Sequence, residues 1–212
     1  MIAKLELELS CNEELAYQMS SLFHGVLMEL LPEEYADELH CSKLHPYTQH
    51  LEFRGKTWYW IITALNKQAV DIILKNALWN LEQIELKKKQ IVINIIGRQY
   101  KEMSYNQLME HFYHEEHGKY MQIHFVSPTA FKQGGKYVFY PDIHCFFQSL
   151  MNKYDAAVGD NVMWDEETLE QLCGNAQIVR YDLKSVSFSK AEAILAGLCI
   201  IKGTARRVKG CV

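Results

Sequence analysis

His40 is the residue whose type and setting best suit proton transfer. It follows a short acidic segment containing Glu33, Glu34 and Asp37, and it precedes the polar stretch Cys41-Ser42-Lys43-Leu44-His45-Pro46. Loops of this kind commonly carry function. An imidazole near a helix C-terminus is favoured in its charged form, and an ordinary pKa of about 6.5 lets it both take and give a proton near neutrality. The same placement equally suits a histidine that only caps the helix. Lys43 and His45 add positive charge nearby, or are simply solvated. His24 and Met28, one helical turn apart on the preceding amphipathic segment, fall opposite its apolar stripe. There they either face a cleft or form an ordinary solvent-facing surface.

Other patterns are weaker. His111, His114 and His117 are spaced three apart and share a helical face, as metal ligands can. However, they lack the HExxH spacing, no cysteine pair supports them, and Glu115, Glu116 and Lys119 mark a solvated surface. Lys87-Lys88-Lys89 reads as a soluble strand end. No phosphate-binding GxxxxGK[ST] or GxGxxG motif and no GxSxG nucleophile elbow is present. No metal and no cofactor are expected.

The elements that must position these residues follow from periodicity. Leu5, Leu7 and Leu9 alternate with Glu6 and Glu8, the pattern of a half-buried strand. Asn12 is placed to cap a helix carrying Leu15, Met19, Leu22, Phe23, Val26, Leu27 and Leu30, which must stop before Pro32. A second short helix starts at Pro32 and ends near His40. The runs 47–53 and 57–65, joined through Arg54-Gly55-Lys56, form a hairpin. Asn66 caps a further helix, and a strand lies within 81–96. This βαββαβ order predicts a ferredoxin-like unit, an antiparallel sheet with two helices on one face, closing by about residue 100.

Beyond it, 104–117 is a polar helical connector, 121–127 a strand, and 132–136 a turn between strand-like arms. Segments 142–154 and 165–173 read as helices, and 176–188 and 194–201 as strands. The fold class is therefore α+β, tandem ferredoxin-like units with the second incomplete. The expected partition is an N-terminal domain 1–103, a connector 104–119 and a C-terminal domain 120–212.

Composition bounds the alternatives. The 212 residues are 49% hydrophobic and 12% aromatic, enough for a sizeable core. No apolar run approaches the ~20 residues that cross a bilayer, so no membrane partner and a cytoplasmic location are expected. Six scattered cysteines suit reduced thiols. A formal charge of -4 argues against a strongly nucleic-acid-binding chain, yet residues 1–60 carry four Lys/Arg against ten Asp/Glu, and residues 176–212 seven against two. An anionic partner should meet the second half.

Two stretches carry a resemblance. Leu22-Phe23-His24-Gly25-Val26-Leu27 leads to Leu39-His40 and then Tyr47-Thr48; later Phe125-Val126-Ser127-Pro128-Thr129-Ala130-Phe131 leads to Tyr140-Pro141-Asp142 and Phe146-Phe147-Gln148-Ser149-Leu150. In this order they resemble the CRISPR-associated endoribonuclease family that cuts precursor CRISPR RNA within its repeats. The resemblance implies metal-independent cleavage, in which a ribose 2′-hydroxyl attacks the adjacent phosphate to leave a cyclic phosphate and a 5′-hydroxyl. His40 matches the family's loop histidine as base or acid. The helix tyrosine of some relatives falls near Met28, with His24 as its substitute, and the cationic role falls on His45 or Lys43.

The implied partner is CRISPR repeat RNA, recognised across a cleft between two units, with a CRISPR effector complex as a further partner. Lys132, Lys136, Tyr137, Arg206 and Arg207 are the candidate RNA-binding residues, joined by Phe139 and Tyr140 as stacking groups. Relatives continue through another helix and a glycine-rich loop that the tail 203–212 does not reproduce, and a sheet edge left unpaired there would invite a homodimer. Two other readings stay open: a repeat-RNA-binding or assembly protein that does not cut, and a small-ligand or protein-interaction module on the same fold.

Overall fold

The computed structural model describes the chain except residues 43, 115–117, 139, 159–164, 190–191 and 204–212, and without the side chains of 126–128, 132, 185–189 and 192–203. It separates into two compact units, Met1–His111 with Ala156–Gly159, and Phe112–Asp155 with Asp160–Val212.

In the first unit, β1 (Ile2–Ser10) buries Ala3, Leu5, Leu7 and Leu9 on one face and turns Lys4, Glu6 and Glu8 to the other. It lies between β3 (Thr57–Ala64) and β5 (Ile91–Met103), with β2 (Tyr47–Arg54) and β4 (Gln83–Leu86) at the edges. The strand order β2-β3-β1-β5-β4 is antiparallel throughout. Its first four members reproduce the ferredoxin-like order. The β2–β3 turn is formed by Gly55 and Lys56, both at positive φ (56° and 86°), the conformation a two-residue hairpin demands.

Two details differ from the sequence expectation. The strand expected within 81–96 is a hairpin, because Lys87 to Gln90 interrupt the alternation and turn back to solvent, with Gln90 at φ 55°. The first helix, α1 (Ser20–Leu30), begins well after Asn12, following a short 3₁₀ turn at Tyr17–Met19. Asn12 is exposed and caps nothing; Leu15 is buried from within irregular chain, so apolar spacing there did not require a helix.

The rest follows the predicted order. Glu33 and Glu34 occupy the first turn of α2 (Glu33–Cys41). The Asn66 side chain accepts the Ala69 N–H at 2.8 Å and caps α3 (Lys67–Ala69), which continues as a π-helix, Val70–Leu78. Phe23 and Leu27 of α1, Tyr35 and Leu39 of α2, and Val70, Ile73, Leu74 and Leu78 of the π-helix cover the apolar sheet face. Each such side chain fully removed from water contributes about 1.5–3 kcal/mol.

After α4 (Tyr105–His114), the second unit contains β6 (Tyr120–Thr129), a small hairpin of β7 (Phe131–Gln133) and β8 (Lys136–Val138), α5 (Ile143–Val158) as far as Asp155, α6 (Glu166–Asn175), β9 (Ala176–Ser189) and β10 (Glu192–Gly203). Asp142 and Asp165 cap the two long helices by accepting the N–H of Cys145 at 2.7 Å and of Thr168 at 2.8 Å. Its sheet runs β6-β10-β9, the first three strands of a ferredoxin-like unit. Among the described residues no fourth strand joins it. No described helix is long and apolar enough to cross a membrane.

Candidate active site

Three histidines from three different elements approach one another in the first unit. His40 is in the last turn of α2, exposed, on a helix anchored by buried Tyr35 and Leu39. The chain leaves α2 through Ser42, whose N–H donates to Glu38 and Leu39 carbonyls and whose hydroxyl donates to the Leu44 carbonyl at 2.7 Å. Lys43 lies outside the described residues. His45 is exposed just before β2, and the adjoining Pro46 carbonyl accepts the Leu65 N–H at 2.8 Å, which ties this loop to the sheet.

His24 is half-buried on α1. Its ring centroid is 6.4 Å from that of His45, and its Nε2 lies 3.0 Å from the Tyr47 hydroxyl, with the two rings nearly parallel at 14°. Tyr47 and His45 rings are 5.6 Å apart. Burial holds the His24 pKa below its ordinary value, and the positive charges available to His45 and His40 lower it further. The charged form of His24 is thus disfavoured. The cluster repels accumulation of protons on all three rings, and an anion placed among them would relieve that repulsion.

Met28 does not share this setting: it packs against the core, because the apolar face of α1 is wide enough to include it beside Leu22 and Val26. The expectation that His24 and Met28 share a polar face therefore fails for Met28.

Sequence reasoning assigned no role to two tyrosines. Tyr47 is 5% exposed and Tyr35 4%; the Tyr35 hydroxyl is buried with no hydrogen-bond partner among the described residues. Burial, with Glu38 adding to it, pushes the Tyr35 phenol up to about 12, and burial followed by the nearby Tyr35 does the same for Tyr47. The available signal was a tyrosine on a buried strand or helix face, whose polar tip needs a partner.

The other candidates lie in the second unit or outside the described residues. Lys136 and Tyr137 are exposed on β8, and Lys132 is on β7. Tyr140 meets Tyr181 edge-on at 5.4 Å. Arg206, Arg207 and Phe139 are not described, nor is His117; His111 and His114 are exposed on α4. A different group, Asp142, His144 and Cys145, brings its ligand atoms within 4.8 Å of one another at the start of α5, where Asp142 serves as the helix cap.

A family model for CRISPR-associated endoribonuclease Cas6 matches residues 123–209. A CRISPR-associated endoribonuclease Cas6 of Streptococcus thermophilus is 30% identical over 173 residues, 82% of this chain and 70% of the relative. The chain belongs to the Cas6 family. A Cas6 of Mycobacterium tuberculosis is also 30% identical, over 178 residues, but the chain spans only 56% of its length.

Solved Cas6 structures share the α+β, ferredoxin-like fold. A Cas6 product complex matches with a TM-score of 0.74 at 17% identity, covering 96% of this chain and 84% of that one. The Thermus thermophilus Cas6 matches at 0.62 and 17%, covering 97% and 84%.

Proposed function

We propose that this chain cleaves CRISPR repeat RNA without a metal ion, at the site built by His24, His40 and His45. The observation that carries the reading is the approach of these imidazoles from α1, α2 and the loop before β2, with His24 and His45 rings 6.4 Å apart and His40 exposed beside them. Family membership supports the RNA-cleaving class, and a Cas6 structure described as a product complex is consistent with it.

The chemistry assigns each group a task. One imidazole, which we place at His40, takes the proton of a ribose 2′-hydroxyl. The freed oxygen bonds to the adjacent phosphorus, and the bond from phosphorus to the 5′-oxygen breaks. His24, as a neutral ring, donates a hydrogen bond to that departing oxygen, and His45 in its charged form gives it a proton. Before that transfer the charged His45, aided by Lys43, stabilises the extra negative charge on the phosphate. The products are a 2′,3′-cyclic phosphate and a 5′-hydroxyl.

Lys132, Lys136, Tyr137, Arg206 and Arg207 are proposed to hold the RNA from the domain 120–212, reached through the connector 104–119 from the domain 1–103. A cytoplasmic setting, delivery of the cut RNA to a CRISPR effector complex and a homodimeric assembly belong to the same reading.

The test is to incubate the protein with labelled repeat RNA in EDTA and map the product ends. Cyclic phosphate and 5′-hydroxyl ends support the reading. Ends carrying a 5′-phosphate, cleavage that requires a divalent ion, or binding without cleavage overturn it.

A further inference from the structure

Tyr47 opens β2, paired with Ala64 of β3, and its ring is on the buried face of the sheet. Its hydroxyl has one hydrogen-bond partner among the described residues, Nε2 of His24 at 3.0 Å. A neutral imidazole carries its proton on one nitrogen and accepts on the other, and a neighbouring hydrogen bond decides which. If Nε2 carried the proton, it would donate to the Tyr47 oxygen. The phenolic proton of Tyr47, a buried residue, would then have no acceptor among the described residues. The Tyr35 hydroxyl offers no relief, since it makes no hydrogen bond with any described residue. Buried donors are almost always paired, so the arrangement that satisfies both groups has Tyr47 donating and Nε2 accepting.

We infer that Tyr47 is a positioning residue that fixes His24 as its Nδ1–H tautomer, leaving Nδ1–H as the one ring donor available to a ligand. The inference rests on the nuclease reading only for its consequence in cleavage; the tautomer itself is a property of the free protein. It refines the role of His24. With Nε2 occupied by a phenol, His24 cannot take a proton there without breaking that hydrogen bond, which favours its acting as a donor from Nδ1 and leaves proton abstraction to His40. Charging His24 would also turn Nε2 into a donor and strand the Tyr47 proton. This opposes protonation in the same direction as its burial and the neighbouring His45 and His40 charges do.

The experiment is a long-range proton–nitrogen correlation spectrum of the whole chain labelled with ¹⁵N-histidine, recorded at pH 7.5 for the parent and for Tyr47→Phe. His24→Gln assigns the resonance. The expected result is a His24 signal of the Nδ1–H form in the parent, moving to the Nε2–H form, the commoner one for imidazole in water, in Tyr47→Phe. Repeat-RNA cleavage by that variant is expected to fall about tenfold while thermal unfolding shows it folded. A parent signal of the Nε2–H form overturns the inference, and so does a His24 signal unchanged in Tyr47→Phe. The parent spectrum alone decides the matter should Tyr47→Phe not fold. If the parent cuts no RNA, the nuclease reading fails while the spectrum still answers for Tyr47.

Discussion

The rings of His24 and His45 stand 6.4 Å apart, centroid to centroid, one half-buried on a helix and the other exposed in the loop before an edge strand. At that separation the charge on one ring is felt by the other, and this adds to burial in holding the His24 pKa below its ordinary value.

Replacing His45 with Gln is therefore expected to raise the pKa of His24 toward its ordinary value, though not fully, because burial is the larger cause and stays in place. A histidine titration followed by NMR in parent and variant measures this directly. An unchanged His24 pKa would show that the two rings are electrostatically independent.

Stability should depend on pH near neutrality. Burial lowers the pKa of His24 and also of His50, where Glu52 partly offsets it. The unfolded chain therefore binds more protons than the folded one between the lowered values and about 6.5. Stability is complete above that range and falls as pH drops through it. Urea midpoints at pH 7.5 and 5.5 should show the decrease, and the double variant His24→Gln, His50→Gln should flatten it. A midpoint that rises on acidification over this interval would contradict the assignment.

Much of this arrangement was legible in the sequence. The alternation of Leu5, Leu7 and Leu9 fixed the face of β1, and Pro32 with Glu33 and Glu34 marked the start of α2 and so placed His40 at its end. What failed did so where one spacing admits two structures: Leu15 is buried from irregular chain as readily as from a helix, and an apolar stretch around Lys87 to Gln90 accommodates a turn. Tyr35 and Tyr47 were given no role for a different reason. They look like ordinary core aromatics, and only the packing of α1 against β2 brings one hydroxyl to His24, while the other has no partner among the described residues.

That second hydroxyl makes its own prediction. Tyr35 keeps a buried polar atom unpaired among the described residues, which costs about 1–3 kcal/mol. Tyr35→Phe retains the ring and removes the penalty, so it should raise unfolding stability by about 1 kcal/mol, read from the urea midpoint at pH 7.5. A loss of stability would mean that the hydroxyl is engaged in the folded protein.

The central claim concerns His40, and single-turnover cleavage of labelled repeat RNA in EDTA by the parent and by His40→Ala addresses it most directly. The parent should cut, and the variant, folded and still binding the RNA, should be slower by about a hundredfold or more, the usual contribution of a positioned acid or base. Cleavage by His40→Ala at the parental rate would contradict the account.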